Sequence, residues 1–122
     1  MEFFRVIIAG SRTFRDYDLL VSHTDKMLSR VKRDHNIIVL SGRARGADKL
    51  GEQYALSRGY EIETYPADWE KYGRVAGYLR NKQMAENADA LIVFWDGKSR
   101  GTAHMINIAK EHGLKISIKR YE

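Results

Sequence analysis

IIVLSGRARGADKLGEQYALSR, residues 37–58, passes from four consecutive apolar residues into a loop of serine, glycine and arginine, and then into a segment with helical spacing. The run 37–40 is strand-length and unbroken, the pattern of a strand covered on both faces. Beyond the loop, Ala47, Leu50, Gly51, Tyr54 and Ala55 recur at the intervals of one helix face. A strand, a glycine-bearing turn and a helix make up the first part of a β-α-β crossover, which predicts a parallel sheet.

The same alternation repeats on either side. Apolar runs at 3–9, 60–65, 90–95 and 114–118 give four more strands. Between them, 16–34, 74–88 and 102–112 carry helical stripes: Leu20, Met27, Leu28 and Val31; Ala76, Leu79 and Met84; Met105, Ile106 and Ala109. The order predicts an α/β three-layer sandwich, a mainly parallel five-stranded sheet with helices on both faces. At 122 residues, without repeat or linker, one domain over 1–122 is expected.

Composition removes several function classes. The absence of cysteine excludes a disulfide scaffold, a thiolate metal site and a cysteine nucleophile. His23, His35, His104 and His112 show no metal-binding spacing, so no metal is expected. The first apolar run is short and ends at Gly10, which reads neither as a signal peptide nor as a membrane span; a soluble cytoplasmic protein with no membrane partner is expected. A net charge of +5 suits an acidic partner and equally serves solubility.

In such sheets ligands bind where loops leave the carboxyl ends of the strands. Three of those loops combine glycine, arginine and a hydroxyl: Gly10-Ser11-Arg12, Ser41-Gly42-Arg43-Ala44-Arg45-Gly46-Ala47-Asp48 and Asp96-Gly97-Lys98-Ser99-Arg100-Gly101-Thr102. Glycine lets backbone N–H groups approach a ligand, and the helix that follows adds unpaired N–H groups and a positive dipole end. Arg12, Arg43, Arg45, Arg74, Arg80 and Arg100 all lie in or beside glycine-bearing segments. Their guanidinium forks suit bidentate phosphate contact. Neither a Walker loop nor G-x-G-x-x-G is present, and a tight turn alone also calls for glycine. The arginines favour an anion cradle, with Asp48 capping or opening the following helix.

These residues carry a resemblance. Gly10-Ser11-Arg12, Ser41-Gly42 with Arg45-Gly46-Ala47-Asp48 and Leu50-Gly51-Glu52, Pro66-Ala67-Asp68-Trp69 with Tyr72-Gly73-Arg74, and Ala76-Gly77 with Arg80-Asn81 and Met84 resemble the YspA/YpsA-related branch of the SLOG superfamily. That superfamily also takes in DprA and the LOG phosphoribohydrolases. The resemblance implies a Rossmann-like fold and a pocket for a nucleotide or nucleotide-derived molecule, including ADP-ribose-type signals of bacterial and phage conflict systems. No cofactor is implied, and pairing into a homodimer through helices, with 76–84 as the candidate surface, is compatible with it. Family members often have glycine where this chain has Arg43, and proline where it has Tyr78, and both departures are expected to reshape the pocket's rim. LOG enzymes carry Pro-Gly-Gly-x-Gly-Thr followed by an acidic residue; here the loop reads Asp96-Gly97-Lys98-Ser99-Arg100-Gly101-Thr102-Ala103-His104, keeping Gly-Thr without the carboxylate.

The candidate ligand set is therefore Gly10, Ser11, Arg12, Ser41, Gly42, Arg45, Gly46, Asp48, Trp69, Arg74, Arg80, Asn81, Gly97, Gly101 and Thr102. For catalysis, Asp48 and Glu52 stand one helical turn apart, and a helix-opening Asp48 with Glu52 partnering an arginine is the alternative. Glu61 and Glu63 lie at a distance from Gly42 resembling the ribose-binding acid of dinucleotide folds, or on an exposed strand face. Trp69 and Tyr72 suit base stacking or packing, while Trp95 reads as structural. His104 is the one histidine near a ligand loop. Three readings follow: a nucleotide-binding module, an N-glycosidic hydrolase of nucleotides, and a DprA-like binder of single-stranded nucleic acid. The last is weakened because the cations gather at loops.

Overall fold

The computed structural model describes residues 2–121. Strand β1 (Glu2–Gly10) is followed by helix α1 (Tyr17–Leu28) and a 3-10 turn (Val31–Arg33), then β2 (His35–Ser41) and α2 (Ala47–Arg58). Next come β3 (Glu61–Thr64), the short helix α3 (Trp69–Tyr72), a second 3-10 turn (Gly73–Val75) and α4 (Ala76–Glu86). The chain closes with β4 (Ala90–Trp95), α5 (Arg100–Glu111) and β5 (Lys115–Arg120). Every strand pairing is parallel, in the order β3-β2-β1-β4-β5.

Alternation along the central strands builds two apolar layers. Val6 and Ile8, Ile37 and Val39, and Ile92 and Phe94 point to one side, where Leu20 and Leu28 of α1 and Ala47, Tyr54 and Ala55 of α2 meet them. Ile7 and Ala9, Ile38 and Leu40, and Leu91 and Val93 point to the other, against Met84 and Ala85 of α4 and Met105, Ile106 and Ala109 of α5. Each face thus removes its own set of side chains from water, which is why these strands read as unbroken apolar runs.

Two expected stripes are narrower than their spacing suggested. Met27 is exposed and Val31 belongs to the 3-10 turn, because α1 ends at Leu28. Leu79 is exposed, since α4 turns only Ala76, Met84 and Ala85 of its apolar residues inward. Burial of Ala76 and Met84 also removes them from the surface proposed for pairing. The exposed large apolar residues there are Trp69, Tyr72, Val75, Tyr78 and Leu79.

After β3 the chain crosses to the far side of β1, so strand order reverses between β1 and β4. Helices α1 and α2 cover one face and α4 and α5 the other. A crevice opens at the carboxyl ends of strands where such a reversal occurs. Among the described residues no helix is long and apolar enough to cross a membrane.

Candidate functional site

At the reversal, the loops after β1 and β4 are locked together. Ser11 N–H donates to Phe94 O (3.0 Å), and Asp96 N–H donates to Ser11 Oγ (3.2 Å). Gly10 permits this contact: a Cβ there would stand 2.1 Å from Phe94 O. The loop after β2 joins them through Ala47 N–H, which donates to Ser11 O at 3.3 Å. Gly46, at φ +76°, presses so closely on Ser11 and Arg12 that a Cβ would be 2.4 Å from Ser11 O.

Beside these loops opens a cavity of about 200 Å³. Gly10, Arg12, Ala44 and Asp48 form one side, and Trp69, Arg74, Gly77, Tyr78, Arg80 and Asn81 face them. Ser99, Gly101 and Thr102 supply the start of α5. Ser99 is its N-cap, its Oγ accepting from Thr102 N–H (3.4 Å). The Asp96 carboxylate accepts from the N–H groups of Lys98 and Ser99 at 2.8 Å each, which holds its pKa below the usual carboxylate range.

Three cations converge on the cavity. Arg12 and Arg74 make no ion pair or hydrogen bond among the described residues. Arg80 donates from Nε to Asn81 Oδ1 (3.0 Å) and from Nη1 to the Gly42 carbonyl, leaving Nη2 without a protein partner among the described residues. Burial lowers its pKa while Asp48 raises it, and a guanidinium remains charged. Asp48 flanks Gly42 from the other side: a Cβ on Gly42 would be 2.7 Å from Arg80 Nη1 and 2.8 Å from Asp48 Oδ2. Burial pushes the Asp48 carboxyl up to about 6, against the pull of Arg80 and of the Ala44 N–H it accepts at 3.3 Å. The N-cap of α2 is Gly46, so Asp48 opens the helix instead of capping it.

Gly10, Arg12, Asp48, Trp69, Arg74, Arg80, Asn81, Gly101 and Thr102 are thus brought together. The remaining sequence candidates lie behind or outside this wall. Ser11 is buried, with its hydroxyl oxygen accepting from Asp96 N–H. Ser41 Oγ donates to Glu52 Oε2 at 2.6 Å, and Arg43 donates to the other Glu52 oxygen, so Glu52 is the partner of an arginine and does not line the cavity. Gly42 and Gly46 are buttresses, Gly97 is covered by Arg120, and Arg45 is exposed in its loop. Glu63 is consumed by Arg5 and Tyr65 across the sheet, away from the loops. Trp95 is half-buried, its indole N–H donating to Ser99 O at 3.2 Å.

Sequence reasoning missed Gly77 and Ser99 as wall residues, while Tyr78, expected to alter the rim, lines the cavity. Gly77 lets α4 pass beneath Trp69, to which an added Cβ would come within 3.3 Å. His104 lies one layer back, its Nδ1 3.1 Å from Asn81 Nδ2 and its ring 4.4 Å from that of Tyr78. No group of three metal-ligating residues occurs among the described residues.

Strand order, layer composition and a cavity at the reversal define a Rossmann-like α/β protein. A family model for the "YspA, cpYpsA-related SLOG family" matches residues 4–72. Gene 61 protein of Mycobacterium phage D29 is 34% identical over 119 residues, covering 92% of this chain and 93% of that protein. This chain belongs to the YspA, cpYpsA-related SLOG family. Two solved structures share the fold. DNA processing protein A (DprA) from Streptococcus pneumoniae superposes with a TM-score of 0.69 at 18% identity, over 95% of this chain and 50% of that one. Protein TM1055 gives a TM-score of 0.64 at 19% identity, over 95% of this chain and 72% of that one. The chain spans half the length of the DprA chain it matches.

Proposed function

We propose that the cavity binds a nucleotide-derived small molecule of the nucleoside monophosphate or ADP-ribose class, and that the protein acts as a sensor, sequestering or processing domain for it. The observation that carries this reading is the convergence of Arg12, Arg74 and Arg80 Nη2, with few competing partners, on the start of α5. Guanidinium donors and unpaired helix N–H groups together favour phosphate. A cavity of about 200 Å³ has the size to receive a phosphoribosyl portion. Trp69 and Tyr78, both partly exposed at its rim, offer aromatic faces to a base outside it. A role toward such a signal fits the phage origin of the Gene 61 relative.

Thermal unfolding with adenosine 5′-monophosphate, ADP-ribose, adenosine and a single-stranded oligonucleotide tests the reading, since a ligand of the folded state stabilises by RT ln(1 + [L]/Kd). The two phosphate-bearing small molecules are expected to stabilise and adenosine to do so weakly. Arg12→Ala and Arg74→Ala are each expected to weaken binding by about tenfold or more, the value of a charge-assisted hydrogen bond. No stabilisation at millimolar nucleotide would sink the proposal, and steeply salt-dependent oligonucleotide binding would replace it with a nucleic-acid role.

A hydrolytic reading has one specific support: Asp48, at the cavity wall, titrates where a general acid or base is useful. Free base released from adenosine 5′-monophosphate, and lost in Asp48→Asn, would establish it.

A further inference from the structure

The buried Asn81 carboxamide has its orientation fixed by two partners that each permit a single hydrogen-bond direction. Arg80 Nε only donates, so the atom 3.0 Å from it is the amide oxygen. The Gly101 carbonyl only accepts, so the atom 3.4 Å from it is Nδ2. Nδ2 also lies 3.1 Å from His104 Nδ1, and two donors cannot share a hydrogen bond. His104 Nδ1 must therefore carry the lone pair, with the ring proton on Nε2. From His104 the file runs through Asn81 to Arg80 and ends on the Gly42 carbonyl.

We propose that His104 is a positioning residue of the anion site: by accepting from Asn81 it holds the carboxamide that aims the Arg80 guanidinium into the cavity, and only the neutral imidazole can do so. The inference deepens the nucleotide-binding reading and rests on it for the ligand. Protonated, Nδ1–H opposes Nδ2–H. Turning the amide over relieves that clash but sets Nδ2 against Arg80 Nε and the oxygen against the Gly101 carbonyl. The first arrangement pushes the carboxamide away from the ring, and the second takes the acceptor from Arg80 Nε, leaving the guanidinium held through Nη1 on the Gly42 carbonyl alone.

The surroundings of His104 favour the neutral form. Tyr78 of α4 stacks on the ring, Glu111 acts on it from farther along α5, and Arg80 of α4 is reached through Asn81. Toward the sheet, α5 meets apolar residues, Leu91 and Val93 of β4 and Ile116 of β5. Burial outweighs Glu111 and lowers the His104 pKa.

Adenosine 5′-monophosphate titrated calorimetrically between about pH 5 and about pH 8, against wild type, His104→Asn and His104→Phe, tests the inference. Nitrogen NMR of the imidazole and of Arg80 Nε is recorded without nucleotide. Asparagine offers an amide oxygen near the Nδ1 position, whereas phenylalanine keeps the ring against Tyr78 without an acceptor. Near pH 7.5, His104→Phe is expected to bind about tenfold more weakly and His104→Asn within about threefold of wild type. The wild-type affinity should fall relative to His104→Asn as His104 protonates, a ratio in which the nucleotide's own ionisation cancels. Free protein should show the Nε2–H tautomer, with Arg80 Nε shifting as the ring titrates. An Nδ1–H tautomer, or wild-type affinity in His104→Phe, overturns the inference. Absence of nucleotide binding by wild type would defeat the ligand reading alone, and the tautomer and the Arg80 response would still decide the positioning.

Discussion

Arg43 is the one non-glycine residue at positive φ among the described residues, at +65°. A side chain in the left-handed region costs roughly 1–2 kcal/mol, and here the half-exposed guanidinium is held by Glu52, whose second oxygen accepts from Ser41. Arg43 thus serves as an anchor for a buried acid at a position whose backbone would suit glycine. Arg43→Ala keeps the strained backbone and loses the ion pair; Arg43→Gly loses the pair and the strain. Urea unfolding should find the glycine variant more stable than the alanine variant by about 1 kcal/mol. Equal stabilities would remove the strain from the account. Asp48 gives a pH-dependent test. Its folded pKa, about 6, exceeds the ordinary 3.8, so the folded state holds the proton more tightly between those values. Stability therefore falls as pH rises through that window, and the penalty is complete above it. Asp48→Asn keeps an acceptor for Ala44 N–H and removes the charge. It should exceed wild type by about 1–3 kcal/mol near pH 7.5 and match it below about pH 4. A gap that persists in acid would point to some cause other than ionisation. The spacing in the sequence brought Asp48 and Glu52 to one helix face, but could not tell which acid meets the cavity and which is spent on Arg43, because that depends on contacts between separate loops.

Among the strands and helices, legibility followed burial. The doubly covered strands β1, β2 and β4 declared themselves as apolar runs, and Asp68 caps the start of α3, its carboxylate accepting from Lys71 N–H at 3.1 Å. What the sequence concealed was the break between α3 and α4, where Gly73–Val75 forms a 3-10 turn and Tyr72, Val75 and Leu79 stay exposed. With no inward side chains to set a period, no stripe marks the boundary. The glycine-bearing loops divide in the same way. Gly46→Ala must fit a Cβ into Ser11 at positive φ and is expected to destabilise by about 2 kcal/mol or more. Gly101, with nothing within 4 Å of an added Cβ, should accept alanine with unchanged or slightly raised stability. Comparing the two variants by denaturant unfolding checks which glycine builds the fold and which lines the site; similar losses would contradict that division.

Across the molecule, the topology performs the selection that sequence alone could not. Six arginines stood near glycine in the sequence, and the reversal of strand order between β1 and β4 gathers Arg12, Arg74 and Arg80 at one cavity while Arg43 is drawn to Glu52 and Arg45 and Arg100 stay in solvent. The net charge of +5 gave only the sign of the partner. Position at the carboxyl ends of parallel strands supports the proposed small ligand, since the cations line a cavity of about 200 Å³ instead of marking a track along the surface. A crystal grown with adenosine 5′-monophosphate puts this to the test. The phosphate is expected within hydrogen-bond distance of Arg80 Nη2 and of the Gly101 N–H, with Arg12 or Arg74 closing on it. Nucleotide density bound elsewhere, with those guanidinium groups making no contact to it, would contradict the account.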